Sequence, residues 1–286
     1  MKNDNSQENL TILLLGTGGT IAGLLKEEGS PTTTGKSYKA AQLPVSALVP
    51  ASKHCIVSEQ IAQIDSKDMT FDVWEKLYTR ISEAQNDADI HAIIITHGTD
   101  TMEETAYFLH RTLLCTKPVI LTGAMRPADA PDPDGLQNMA FALKQAQVLD
   151  AGVWVTFAGR VFSGGNVQKV HPTRLDAFDV IDEAKGGVAS APWIAFKPPI
   201  KGWPRVEIVM SYAGAGGAIV DALIKQKIDG IVVAGTGNST VHHDLEATLD
   251  KARDVGVAIN LCSRSLVGCA LQARVDLMLR LMLARA

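Results

Sequence analysis

Continuous apolar runs alternate along the chain with stretches of helical period. Leu10–Leu15, Ala92–Thr96, Pro118–Thr122 and Gly152–Phe157 are short apolar runs, several rich in β-branched residues, and read as buried strands. Between them, Phe71, Trp74, Leu77, Tyr78 and Ile81 recur at helical spacing and predict a helix over Thr70–Gln85. Thr101 followed by Glu104 reads as a capping box that opens a further helix, and another is expected from about Leu136 to Leu149. Strands alternating with helices indicate a doubly wound, mostly parallel sheet covered on both faces. Two stretches lack any period. Lys26–Lys39 is polar and rich in Gly, Thr and Ser, as lids often are, and Met125–Asp134 is irregular with three prolines.

The alternation breaks at about Gly186. Gly186–Pro204 carries four prolines and two tryptophans without helical period, which suits a connection between domains. It then resumes with strands at Val206–Ser211, Gly230–Ala234 and Val257–Leu261, and helices at Ala218–Lys227, Asp244–Asp254 and Leu271–Ala284. The expected organisation is a larger α/β domain over 1–185, a linker over 186–204 and a smaller α/β domain over 205–286. No internal repeat at a fixed period is visible.

Composition narrows the function classes more than the fold. The 286 residues are 46% hydrophobic and 20% charged with a formal net charge of -4, an ordinary globular balance. The mildly acidic balance with no Lys/Arg block argues against nucleic acid or anionic membrane as the main partner. Cys55, Cys115, Cys262 and Cys269 form no C-x-x-C pair, and the apolar surroundings of Cys115 and Cys262 suit buried thiols in a reducing compartment. Met1–Asn9 is polar, no signal peptide is evident, and no apolar segment approaches the roughly twenty residues that span a membrane. A cytoplasmic protein is expected.

The candidate chemistry gathers at strand ends. After Ala92–Thr96 comes His97-Gly98-Thr99-Asp100-Thr101-Met102-Glu103-Glu104, which places Thr99 and Asp100 at a strand's carboxyl end and a helix's amino end. Open α/β sheets bind ligands there. Asp is also a favoured helix cap, and the octet taken alone favours that reading. After Leu10–Leu15 comes Gly16-Thr17-Gly18-Gly19-Thr20, whose spacing fits neither a dinucleotide fingerprint nor a P-loop, since Ile21 stands where a glycine is needed. It presents the Thr20 hydroxyl beside backbone amides that could hold an oxyanion, or it is a plain strand-to-loop turn. Ser66 precedes a helix as a turn or cap residue would. Lys169 follows a glycine turn; most lysines are surface charges, but one near Asp100 could shuttle a proton. Asn238, in Gly235-Thr236-Gly237-Asn238, suits a left-handed turn. His97, His242 and His243 show no metal-ligand spacing and are read as structural.

Taken together, these pieces resemble the bacterial L-asparaginases of the two-domain, homotetrameric kind, which also include asparaginase-glutaminases. The matching stretches are Thr17–Gly23, Asp65–Met69, Thr96–Thr105, Gly123–Pro127 and Gly235–Asn238, and the similarity runs from about Leu10 to the final helix. The resemblance implies that Thr20 is the nucleophile, with Tyr38 contacting it from the lid. It implies that Thr99, Asp100 and Lys169 form a second triad, and that Gly19, Ser66 and Asp100 hold the substrate. Asn238 would reach a neighbouring subunit's site. Neither cofactor nor metal is implied, and the expected partners are L-asparagine and further copies of the chain as a homotetramer. A Rossmann-type nucleotide-binding protein and a catalytically silent amide-binding module are the competing readings.

Two departures from the family stand out. Lys67 follows Ser66 where relatives commonly carry a glutamine that helps hold the α-ammonium, and only Ser265–Ala270 separates Arg264 from the last helix, where relatives have a longer loop. An inward-pointing Lys67 would add a like charge near that ammonium. Weak apparent affinity for asparagine and little activity on glutamine would follow. Were Lys67 instead turned outward onto Asp65 or Asp68, little would be lost.

Overall fold

The computed structural model describes residues 9–26, 38–180, 198 and 202–265. The chain divides into two compact units, Met1–Trp193 and Ile194–Ala286. Most of the 186–204 connection, the centre of the Lys26–Lys39 loop, the Ser265–Ala270 link beyond Ser265 and the expected Leu271–Ala284 helix lie outside the described residues.

The first unit runs β1 (Thr11–Gly18), β2 (Leu24–Leu25), β3 (Tyr38–Lys39), β4 (Cys55–Ile64), α1 (Phe71–Asn86), β5 (Ala92–Thr96), α2 (Met102–Thr112), β6 (Pro118–Thr122), α3 (Gly135–Gln145), β7 (Gly152–Phe157), β8 (Arg160–Ser163), β9 (Val167–Lys169) and β10 (Phe178–Val180). Its main sheet has the order β4-β1-β5-β6-β7-β8. The first five strands pair in parallel, and β8 returns antiparallel on the edge. Central strands of a parallel sheet are covered on both faces, which explains why β1 and β5 are apolar throughout instead of alternating. Ile12, Leu14, Ala92, Ile94 and Ile120 face one way, against Met139, Ala142 and Leu143 of α3. Leu13, Leu15, Ile93 and Ile95 face the other way and are as fully buried. At about 1.5–3 kcal/mol for each large aliphatic side chain, this double burial holds the strand ends in fixed relation.

Two strands of the six-stranded sheet do not follow from the apolar pattern. β4 is an edge strand in which partly buried and exposed positions interleave, so polar residues such as Ser58, Glu59 and Gln60 break any run. β8 is short and opens on Arg160, whose guanidinium pairs with Asp179. The capping box is not formed either. Thr101 occupies the N-cap of α2, but its hydroxyl makes no capping bond and donates to the Ser66 carbonyl at 2.8 Å.

The second unit holds β11 (Val206–Met210), α4 (Ala218–Lys225), β12 (Gly230–Gly235), α5 (His243–Asp254) and β13 (Ala258–Ser263), with a parallel sheet ordered β11-β12-β13. Val209, Ile231 and Val233 pack with Val220, Leu223, Leu245 and Leu249 of the two helices. Cys55, Cys115 and Cys262 are free thiols, the last two half-buried, and burial pushes the Cys115 thiol up to about 11. No helix of the described residues is long and apolar enough to cross a membrane.

Candidate active site

Three neighbouring parallel strands, β4, β1 and β5, end side by side, and the turn after each carries a hydroxyl. Glycines allow the turns to touch. Gly19 has φ of 80°, and a Cβ there would lie 2.4 Å from both Cα and N of Gly98. A Cβ on Gly98 would lie 2.4 Å from Ser66 Oγ. Gly19 N donates to the Ile64 carbonyl at 2.9 Å, and Thr17 Oγ1 donates to the Thr96 carbonyl at 2.9 Å. Backbone contact at this distance admits only glycine, and it locks the three turns together.

On this platform the Thr20 hydroxyl, almost fully buried, lies 2.9 Å from the Tyr38 hydroxyl. Tyr38 is brought there by the β2–β3 pairing, which sets it opposite Leu25. From the neighbouring turn, Thr99 is also buried, and Lys169 Nζ donates to its Oγ1 at 2.9 Å and to Asp100 Oδ1 at 2.6 Å. The Lys169 side chain is only 14% exposed against 44% for Asp100, so the carboxylate faces outward with the ammonium held behind it. Ser66 is buried, and its Oγ has no hydrogen-bond partner among the described residues. A buried hydroxyl without a partner is costly, and one in a polar cleft is a ready contact for a ligand.

The structure thus groups Thr20 with Tyr38 and Thr99 with Asp100 and Lys169, and sets Gly19 and Ser66 against Gly98. Asn238 belongs to the second unit. There Gly237 and Ser239, on either side of it, take the left-handed conformation, and Asn238 does not. Lys67 is not turned inward: its ammonium pairs with Asp68 at 2.5 Å and its side chain is half exposed. The expectation of a like charge crowding a substrate ammonium is corrected accordingly.

Three supporting groups have no signal in residue pattern. His97 is fully buried, and burial holds its imidazole down at about 4. Its Nδ1 lies 2.7 Å from the Gly98 carbonyl and its Nε2 lies 2.9 Å from Thr105 Oγ1, which Trp74 Nε1 reaches at 2.9 Å. Only one proton arrangement satisfies all four groups: Trp74 donates to Thr105, Thr105 to Nε2, and Nδ1–H to Gly98. Glu103 Oε2 accepts the backbone N–H of Lys169, and burial pushes its carboxyl up from the ordinary range. Asp134 accepts from the backbone N–H groups of Met125 and Arg126, each at 2.9 Å, pinning the irregular loop beyond β6.

Buried hydroxyls at adjacent strand ends, one on a phenol and one on an ammonium–carboxylate pair, are the arrangement of an α/β enzyme. Residues 11–199 match the family described as Asparaginase, N-terminal, and residues 205–281 match the Glutaminase/Asparaginase C-terminal domain. The chain belongs to the asparaginase family. It is 33% identical to L-asparaginase 2 of Escherichia coli, over 93% of this chain and 81% of that one. It is 33% identical to the glutaminase-asparaginase of Pseudomonas fluorescens, over 87% of this chain and 74% of that one. The crystal structure of a probable cytoplasmic L-asparaginase from Campylobacter jejuni superimposes with a TM-score of 0.79 at 33% identity, covering 95% of this chain and 88% of that one.

Proposed function

We propose that the protein is a cytoplasmic L-asparaginase that hydrolyses L-asparagine to L-aspartate and ammonia through a threonine ester. The observation that carries this is the pair of hydroxyl centres, Thr20 on Tyr38 and Thr99 on Lys169, at the ends of adjacent strands. An amide is a poor electrophile, so covalent catalysis that splits one barrier into two suits it. Thr20 Oγ attacks the side-chain amide carbon, and its proton passes through Tyr38 and the surrounding polar groups to the departing nitrogen. The C–N bond breaks, ammonia leaves and an ester to Thr20 remains. A water hydrogen-bonded to Thr99 then attacks the ester carbon. Its hydroxyl goes to the acyl carbon and its proton passes through the surrounding hydroxyls to the departing Thr20 oxygen, so that Thr20 recovers its hydroxyl as aspartate departs.

Ser66 Oγ and Asp100 suit the α-carboxylate and α-ammonium, the first as a buried hydroxyl that a carboxylate would satisfy and the second as an outward-facing carboxylate. Backbone amides around Gly19 supply donors for the oxyanion. Asn238 completes a neighbouring subunit's site, and the working form is a homotetramer. Ile208 and Met210 on β11 are exposed apolar side chains that association would bury. The test is ammonia release from L-asparagine by the purified protein, with L-glutamine run in parallel. Turnover of asparagine alone supports the narrow reading, comparable turnover of both makes it a glutaminase-asparaginase, and no release leaves an amide-binding module on the same fold.

A further inference from the structure

Lys169 is held at both ends by one short stretch of chain. Its ammonium donates to Thr99 and Asp100, at 2.9 and 2.6 Å, and its backbone N–H donates to the carboxylate of Glu103. The lysine stem is long and freely rotating, so where its ammonium rests depends on where its root is fixed. The root has little other support. β9 has three residues and pairs with β10 in a separate two-stranded sheet, outside the ladder of the six-stranded one.

What carries β9 is α2. Glu103, Ala106 and His110 lie at i, i+3 and i+7, on one face of that helix. The turn leading into β9 presses on the same face: a Cβ on Gly164 would lie 3.1 Å from the Ala106 carbonyl oxygen, and one on Gly165 would lie 2.7 Å from His110 Nε2. The helix that opens just after Thr99 and Asp100 therefore also grips the strand that delivers the lysine. Glu103 makes the contact at Lys169 itself.

We propose that Glu103 is a positioning residue for Lys169, fixing the point from which the lysine side chain reaches Thr99 and Asp100. This rests on the reading of Lys169 as part of the catalytic apparatus. Without the acceptor, β9 is free to shift along α2, and a displacement of about 1 Å at the reacting groups costs on the order of a hundredfold in rate. A carboxylate accepting a backbone N–H forms a charge-assisted bond. Glutamine keeps an acceptor oxygen at the same reach, whereas aspartate keeps the charge but withdraws the acceptor by one methylene.

The experiment compares Glu103→Ala, Glu103→Gln, Glu103→Asp, Lys169→Ala and the Glu103→Ala/Lys169→Ala double variant, all as full chains, by ammonia release from L-asparagine. Glu103→Ala is expected to lower kcat about a hundredfold with KM little changed, and Glu103→Gln to restore most of it. In the Lys169→Ala background the alanine at 103 is expected to cost nothing further, because its effect runs through the lysine. If Glu103→Ala does not fold, Glu103→Asp carries the same expectation of lowered kcat. Full turnover in folded Glu103→Ala or Glu103→Asp, or a second independent loss in the double variant, overturns the proposal. Wild-type turnover in Lys169→Ala overturns instead the catalytic reading of the lysine on which it stands.

Discussion

Thr20 and Thr99 are chemically alike and almost equally buried, and their partners set them apart. A phenol beside Thr20 can pass a proton either way, whereas an ammonium beside Thr99 favours negative charge on whatever shares its hydrogen bond. Replacing Thr20 by Ala is expected to lower kcat for L-asparagine about a thousandfold or more, roughly 4 kcal/mol of transition-state stabilisation. Thr99→Val should do the same at constant volume. Both sit on turns outside the core, so circular dichroism and melting temperature should hold; near wild-type turnover in folded Thr20→Ala would remove it as nucleophile. His97 makes a different prediction. Its folded value, about 4, lies below the ordinary 6.5. The stability it contributes is therefore complete above pH 6.5 and is lost as pH falls through 6.5 toward 4. The gap between the two values corresponds to roughly 3 kcal/mol. Urea midpoints between pH 7.5 and 4.5 should fall, and in His97→Gln the fall should be shallower; equal slopes would show that the buried imidazole is not the group titrating.

At the scale of elements, the site is three strand ends brought into backbone contact, and Gly19 is where that contact is tightest. Gly19→Ala would combine a positive φ with a Cβ 2.4 Å from Gly98, so it is expected to separate the β1 and β5 turns. Activity should fall by orders of magnitude, with a loss of stability of about 1–3 kcal/mol from backbone strain; an unperturbed enzyme would mean that the turns are not rigidly coupled. The Asp68 pairing makes the opposite prediction for Lys67. Exposed ion pairs contribute about 0–1 kcal/mol, so Lys67→Gln should leave KM for L-asparagine within about twofold. A large drop in KM would bring back the inward lysine. These elements also show what was readable beforehand. β1, β5, β6 and β7 were legible because strands buried on both faces leave uninterrupted apolar runs. β4 was not, because an edge strand carries a mixed pattern that single-sequence periodicity cannot separate from loop. Thr20, Thr99 and Asp100 stood out because glycine turns and polar residues directly follow such runs. Glu103 stood in the same octet without notice. Its partner is the backbone of Lys169, 66 residues on, and no spacing rule reports a long-range bond to a main-chain amide. Thr101 was misread for a related reason: local pattern offered a capping box, and a tertiary acceptor, the Ser66 carbonyl, took the hydroxyl.

For the whole molecule the question is which subunit Asn238 serves. It sits on the second unit, in a turn bounded by left-handed Gly237 and Ser239, and that geometry presents its side chain on a tight loop. A stable obligate assembly should bury well over about 2,000 Å² per interface, and light scattering should return four chains at assay concentration. A fully active monomer would end the argument there. Subunit mixing then decides the rest. Thr20→Ala and Asn238→Ala homo-oligomers should each be nearly inactive. In mixed oligomers, a subunit with intact Thr20 can meet a neighbour with intact Asn238, and random pairing in a two-fold interface makes roughly a quarter of the sites complete. Recovery of activity toward that fraction after co-refolding is the expected result. If each subunit used its own Asn238, no pairing could restore a site, and the mixture would stay as inactive as its components.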